Sequence, residues 1–203
     1  MSFQDKLLDS FIAFEQVIDL DNPIHTDRKN ALKRFENKGF PTKKDELWKY
    51  TSLKSIIQKD YSLSVKSNPN VGLKDIEKYS INDIDSYKIV FVDGVFNPFL
   101  SNTTHDGMDI CVLSAALSKT KYKKTITKYF NKIVPDDQSL ASLNTSYTKE
   151  GAYIHIPKSV LPEDPVQILH FSWGKNKPLW LQPRNIIIVE ENARVEIIER
   201  HQS

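Results

Sequence analysis

The stretch "NIIIVEENARVEIIERH", Asn185 to His201, sets two β-rich runs, Asn185–Val189 and Arg194–Ile198, around the acidic turn Glu190-Glu191-Asn192-Ala193. Isoleucine and valine crowd both runs, and their branched Cβ atoms favour a pleated backbone. Two runs of the same kind precede them, Tyr153–Ile156 and Val166–Phe171, separated by turns that contain Pro or Gly. Short strands at such spacing predict a sandwich, a barrel or the first rungs of a β-solenoid. One solenoid rung cannot bury its own face, and about three or more stacked units are needed. The letters stop at Ser203, just after a strand and with no capping helix, so a fragment of a longer protein is expected.

Upstream, Ile89–Val92, Asp93-Gly94 and Val95-Phe96 read as a hairpin, because Asp-Gly supplies the positive φ angles of a type I′ turn. Ile110–Leu113 is expected to be another strand. The first 60 residues are helical in pattern instead. Ser2-x-x-Asp5 resembles a capping box, and Phe3, Leu7, Leu8, Phe11, Phe14 and Ile18 follow at helical spacing. Asn22-Pro23 breaks that helix; Thr26 or Asp27 can cap a second one, with Ala31, Leu32 and Phe35 inward and Gly39 as its C-terminal cap. A third helix is expected over Phe40–Ile56, capped by Thr42 and Asp45, with Leu47, Tyr50 and Leu53 on its buried stripe and Trp48 beside it. The polar segment Ser62–Lys74, with Asn68-Pro69-Asn70 inside it, predicts a loop or a ragged edge strand.

From Ser118 to Val134 the spacing of Tyr122, Ile126, Tyr129, Phe130 and Ile133 is helical again, and six lysines crowd the polar side. Lysine stems lying over apolar surface explain that face better than a nucleic-acid patch does. Ser139–Lys149 predicts a short helix closed by Gly151, and Pro135-Asp136-Asp137 a boundary. The resulting expectation is an α+β chain: residues 1–135 form a helical and mixed α/β domain, and 136–203 begin a β-rich core.

Composition excludes several classes of protein. With 203 residues, 39% of them hydrophobic, the chain can bury one good core. Lys plus Arg number 28 against 26 acids, a net charge of +2, far from the concentrated field that nucleic acid requires. Cys111 is the single cysteine, which rules out an intrachain disulfide, a Cys₄ cluster site within one chain and a CxxC pair, and fits a reducing cytoplasmic setting. The start shows no basic region followed by an apolar one, and no apolar run approaches the roughly 20 residues of a membrane span. A soluble cytosolic protein with no membrane contact is expected.

No GxGxxG, P-loop, GxSxG or HExxH pattern occurs. The five histidines, His25, His105, His155, His170 and His201, are scattered rather than paired at ligand spacing. His155 and His170 lie opposite the apolar neighbours on their strands, which predicts half-exposed positions. Glu190, Glu191, Glu196, Glu199 and His201 form the densest group of potential metal ligands. Alternation puts Glu199 and His201 on one face and Glu196 on the other. Charged turn and edge residues that discourage edge-to-edge pairing account for the same letters, so no catalytic, cofactor or metal residue is assigned. Cys111 reads as a small buried hydrophobe.

Four stretches carry a family resemblance: "RKNALKRFENKGFPTKKDELWKYTSL" (28–53), "SLASLNTSYTKEGAYIHIPKSV" (139–160), "EDPVQILHF" (163–171) and "QPRNIIIVEENARVEIIERH" (182–201). They resemble the SufB/SufD family of the Suf iron-sulfur cluster assembly system. Pro41, Thr42, Asp45, Glu46, Trp48, Lys49 and Tyr50 match its N-terminal signature, in a run more SufD-like than SufB-like. The resemblance implies a helical and mixed N-terminal domain followed by a right-handed parallel β-helix. It also implies a non-enzymatic subunit that joins SufB and the ATPase SufC in a cytosolic complex. There the SufB–SufD interface builds a nascent cluster from iron and sulfide, and a reduced flavin is linked to the complex. The family's cluster-related residues and SufC-gripping helices lie beyond the segments matched, so neither is carried over, and the signature is expected to be structural. The competing reading is a carbohydrate-active β-solenoid enzyme with an N-terminal accessory domain. Such chemistry needs acidic or basic side chains along consecutive rungs, and one acidic turn is all the sequence offers.

Overall fold

Asp93 and Gly94 take φ of 51° and 77°, and this turn folds β1 (Tyr87–Val92) back onto β2 (Val95–Phe96), with Val92 opposite Val95. The hairpin is the one the Asp-Gly pair predicts. It belongs to a computed structural model that describes residues 1–63, 71–81, 83–105, 107–173 and 177–203. The loop expected around Asn68-Pro69-Asn70 lies outside the described residues.

Two sheets organise the chain. In the first, β1 pairs in parallel with β5 (Val166–Phe171), and β5 pairs in parallel with β7 (Ile197–Gln202), giving the order β2-β1-β5-β7. In the second, β3 (Asp109–Val112) lies antiparallel to β4 (Ala152–Ile156), which pairs in parallel with β6 (Ile186–Val189). From β4 onward the chain alternates between the sheets, so Tyr153 meets Ile186 on one and Val166 meets Ile197 on the other. The last strand begins at Ile197 rather than Arg194. Ala193 and Val195 pack against the core without joining the ladder.

Strand alternation sorts the apolar residues into layers. Ile89, Phe91, Val166 and Ile168 face Ile110, Val112, Ala152, Ile154 and Ile156 across the space between the sheets. The other face of the first sheet, Val90, Val92, Leu169 and Phe171, lies under Val71, Ile76 and Leu100. Tyr153 and Ile186 on the second sheet lie under α5 (Leu113–Ser118) and α6 (Thr120–Tyr129). β5 is therefore buried at every position, as expected of a parallel strand covered on both faces.

Three helices make a further layer. α1 (Phe3–Glu15) starts at a complete capping box, in which Ser2 Oγ accepts from the Asp5 N–H and Asp5 Oδ2 accepts from the Ser2 N–H. α2 (His25–Lys38) ends at Gly39 with φ 69°. Its start differs from expectation. Asn22, not Thr26 or Asp27, organises it: the Asn22 side chain accepts from the Ile24 N–H at 3.1 Å and the Asn22 carbonyl from the His25 N–H at 2.9 Å. α2 packs on α7 (Ser139–Ser146), and Leu7, Phe35 and Leu143 form their common core. Both sheets and this helical layer draw elements from either side of Pro135.

The third helix does not form. Residues 46–48 make a single 3-10 turn, and the one α-helical turn α3 (Lys54–Ile57) follows after a break; α4 (Leu73–Ile76) is as short. The Thr42 hydroxyl accepts from the Lys44 N–H as a helix cap does, but the Ser52 hydroxyl accepts from the Lys54 N–H and so opens a second turn that divides the segment. Leu47 and Tyr50, expected inside, are 76% and 91% exposed. The lysine-rich helix also ends early, at Tyr129, because Asn131 adopts φ 53°. Ile133 is left exposed.

Gly151 does not close a helix, since α7 ends at Ser146. It lies where the segments entering β4 and β6 converge: a Cβ there would meet the Arg184 carbonyl oxygen at 1.9 Å. Gly151→Ala is expected to destabilise by about 2–3 kcal/mol, the scale of an overpacked interior site. Gly72→Ala, whose Cβ meets nothing nearer than 3.9 Å, serves as the control in the same denaturant titration.

Candidate functional site

The parallel register places Phe91, His170 and His201 in one row across the first sheet. Alternation points these side chains toward the space between the sheets, together with Ile89, Ile168 and Glu199 in the neighbouring row. The rings stack in order: Phe91 on His170 with centroids 4.9 Å apart, and His170 on His201 at 4.5 Å with planes 9° apart. His170 is 7% exposed, a correction to the half-exposed position expected of it. Its strand is apolar on both faces, so lying opposite Leu169 and Phe171 does not mean facing water.

Glu199 stands between the two imidazoles. Its Oε1 lies 3.5 Å from His170 Nε2 and 3.1 Å from His201 Nε2. Asn185 Nδ2 donates to the same oxygen at 2.9 Å, while Asn185 Oδ1 accepts from the Ala152 N–H at 2.8 Å. The carboxylate is thus tied to the opposite sheet. His170 Nε2 is buried and has no hydrogen-bond partner, a state that costs about 1–3 kcal/mol for a polar group. Burial, helped by the neighbouring His201, pushes the His170 imidazole down to about 4, so at neutral pH its ring is uncharged and keeps a lone pair free.

A second histidine cluster is differently built. His155 on β4 lies 2.8 Å from Glu190 through Nε2 and 3.5 Å from Asp109 through Nδ1. Tyr122 and Lys121 donate to Asp109, and the Lys158 N–H donates to Glu190. Asp109 accepts from two protein donors and Glu190 from one besides His155, whose Nδ1 is also buried without a hydrogen bond, and the cluster braces β3, β4 and the turn after β6. The remaining acids of the turn pair on the surface, Glu191 with Lys158 and Glu196 with Arg194. Of the five ligand candidates in the sequence, only Glu199 and His201 come together, on one face as alternation predicts. His170 and Asn185 complete the group, the first through the parallel register of β5 with β7 and the second through the packing of the two sheets, neither of which a local pattern encodes.

The signature residues Pro41, Thr42, Asp45, Glu46, Trp48, Lys49 and Tyr50 lie on the short turn before α3. Asp45 accepts from the Thr42 N–H at 2.8 Å, which holds its carboxyl below the usual range. Lys49 Nζ is 4.0 Å from Glu46 and 5.6 Å from the centre of the Tyr50 ring.

The family model for the SufBD protein N-terminal region matches residues 1–168. The chain belongs to the SufBD family. An iron-sulfur cluster assembly SufBD family protein of Synechocystis sp. is 25% identical over 181 residues, covering 89% of this chain and 40% of that protein. A second protein of that description from the same organism is 30% identical over 117 residues, covering 54% of this chain and 24% of its own length. The chain thus spans less than half the length of these relatives. Among the described residues, no helix is long and apolar enough to cross a membrane.

Cys111 stands opposite Tyr153 under α5 and α6, and burial pushes its thiol from the ordinary 9.0 up to about 11. Two pKa units remove about 99% of the thiolate. Alkylation by iodoacetamide near pH 8 should run roughly a hundredfold slower in the native protein than in denaturant; equal rates would show that this layer opens freely.

Proposed function

We propose that this chain acts as a SufD-like, non-catalytic subunit of a cytosolic iron-sulfur cluster assembly scaffold, in which the nascent cluster is cargo shared with a SufB-like partner and turnover is driven by a SufC-like ATPase. The observation that carries this reading is the family match over residues 1–168. The names of the Synechocystis relatives supply the process, iron-sulfur cluster assembly. The SufD-like assignment rests on the run from Pro41 to Tyr50. A reduced flavin belongs to this reading at the level of the complex.

The β-rich part is read as the beginning of a parallel β-helix. Strands β4 to β7 alternate between two sheets in parallel register, which is how stacked rungs are laid down. Right-handed winding is the sense in which parallel crossovers within one sheet run. A scaffold of this kind needs rigid, extended surface rather than a reactive pocket, and buried β5 supplies the rigidity.

Affinity purification of the full-length gene product, co-expressed with SufB-like and SufC-like proteins, should retain both under native conditions. Loss of both overturns the reading. The signature turn is given a structural role here: Trp48 is half-buried, so Trp48→Ala should lower stability by about 1 kcal/mol, the typical cost of a single substitution, and leave partner retention intact. An unchanged melting midpoint with lost partners would make the turn a docking surface instead.

A further inference from the structure

We propose that His170, Glu199 and His201 form a binding site for a single first-row divalent cation, with Asn185 as the residue that positions the carboxylate. Their ligand atoms lie within 4.8 Å of one another. Two imidazoles and one carboxylate suit Zn²⁺, Fe²⁺, Co²⁺ or Ni²⁺ rather than the all-oxygen preference of Mg²⁺ and Ca²⁺. Ligands about 2.0–2.1 Å from a tetrahedral ion stand about 3.3 Å apart. The Glu199 oxygen already stands 3.5 and 3.1 Å from the two nitrogens, so the main adjustment falls on His201. Its ring lies parallel to that of His170, whereas imidazole lone pairs lie in the ring plane. The His201 side chain is 61% exposed and can tilt to aim Nε2 at the ion.

An ion pair of His201 with Glu199 explains part of this arrangement. It leaves the buried Nε2 of His170 with no hydrogen bond, 3.5 Å from the same carboxylate oxygen; a cation satisfies all three groups at once. No cationic side chain competes for Glu199 from the intervening position, because Arg200 turns to the other face, donating to the Tyr79 carbonyl and lying over the Tyr79 ring. Asn185 meets the requirement that an outer partner orient a ligating carboxylate, and it does so from the opposite sheet. Such a site binds an ion with three protein ligands and keeps positions for water or for a further ligand.

Three protein ligands define the site whether or not the assembly reading holds, and its test needs no partner. The full-length protein, stripped with chelator, is titrated with Zn²⁺ by calorimetry and with Co²⁺ by visible absorption. One ion per chain is expected, with ligand-field bands from Co²⁺. Glu199→Gln and His201→Ala, both at accessible positions, should weaken binding at least about a hundredfold while keeping the wild-type melting transition, and Asn185→Ala should weaken it about 10–100-fold. The double variant His155→Ala, Glu190→Gln should bind as the wild type does. Absence of stoichiometric binding overturns the proposal. So does unchanged affinity in Glu199→Gln and His201→Ala, or binding lost only in the His155 and Glu190 double variant.

Discussion

The structure depends on the parallel pairing of β5 with β1 on one side and β7 on the other. Antiparallel neighbours can be joined by a two-residue turn, but parallel ones need a long crossover. Here the β1-to-β5 crossover carries β3, α5, α6, α7 and β4, and the β5-to-β7 crossover is a single passage through β6 on the second sheet. From β4 onward each passage leaves one strand on either sheet, so the two sheets are held in mutual register by the chain itself. The layers follow from this: an apolar space between the sheets, helices α5 and α6 on one outer face, and the segment around Val71 and Ile76 on the other.

That register also assembles side chains far apart in sequence. Phe91, His170 and His201 come from three strands and stack only because those strands pair residue by residue. The row is apolar at Phe91, buried at His170 and exposed at His201, so it runs from the interior to the surface. In the neighbouring row Glu199 follows Ile89 and Ile168, and Asn185 reaches across from the opposite sheet to hold it.

Features set by short-range chemistry were legible in the sequence. The Asp93-Gly94 hairpin, the Ser2 capping box and the Gly39 helix end each follow from a few adjacent residues whose side chains or φ preferences act locally. The strands β4, β5 and β6 were visible through their branched and aromatic residues. Errors arose where competing local bonds or distant neighbours decide. Ser52 accepts from the Lys54 N–H and opens a new turn there, which divides the segment expected to be a third helix. The half-exposed position expected of His170 fails because β5 is apolar on both sides, and alternation cannot rank two apolar faces. Half of the candidate site, Glu199 and His201, lay in one visible pattern; the other half arrives from strands whose pairing partner is chosen by the whole fold.

The two antiparallel strands have a consequence for the order of folding. β2 and β3 stand at one margin of each sheet, while β7 and β6 stand at the other. Joining β1 to β5 closes a span of roughly 80 residues, whereas the later parallel pairs close spans of only about 30. The first closure therefore carries the larger entropic cost, by about 0.9 kcal/mol. Once it is made, each new passage meets a template edge already formed. The hairpin and the β1–β5 pair thus form the edge on which the shorter-range parallel pairing of β7 is laid.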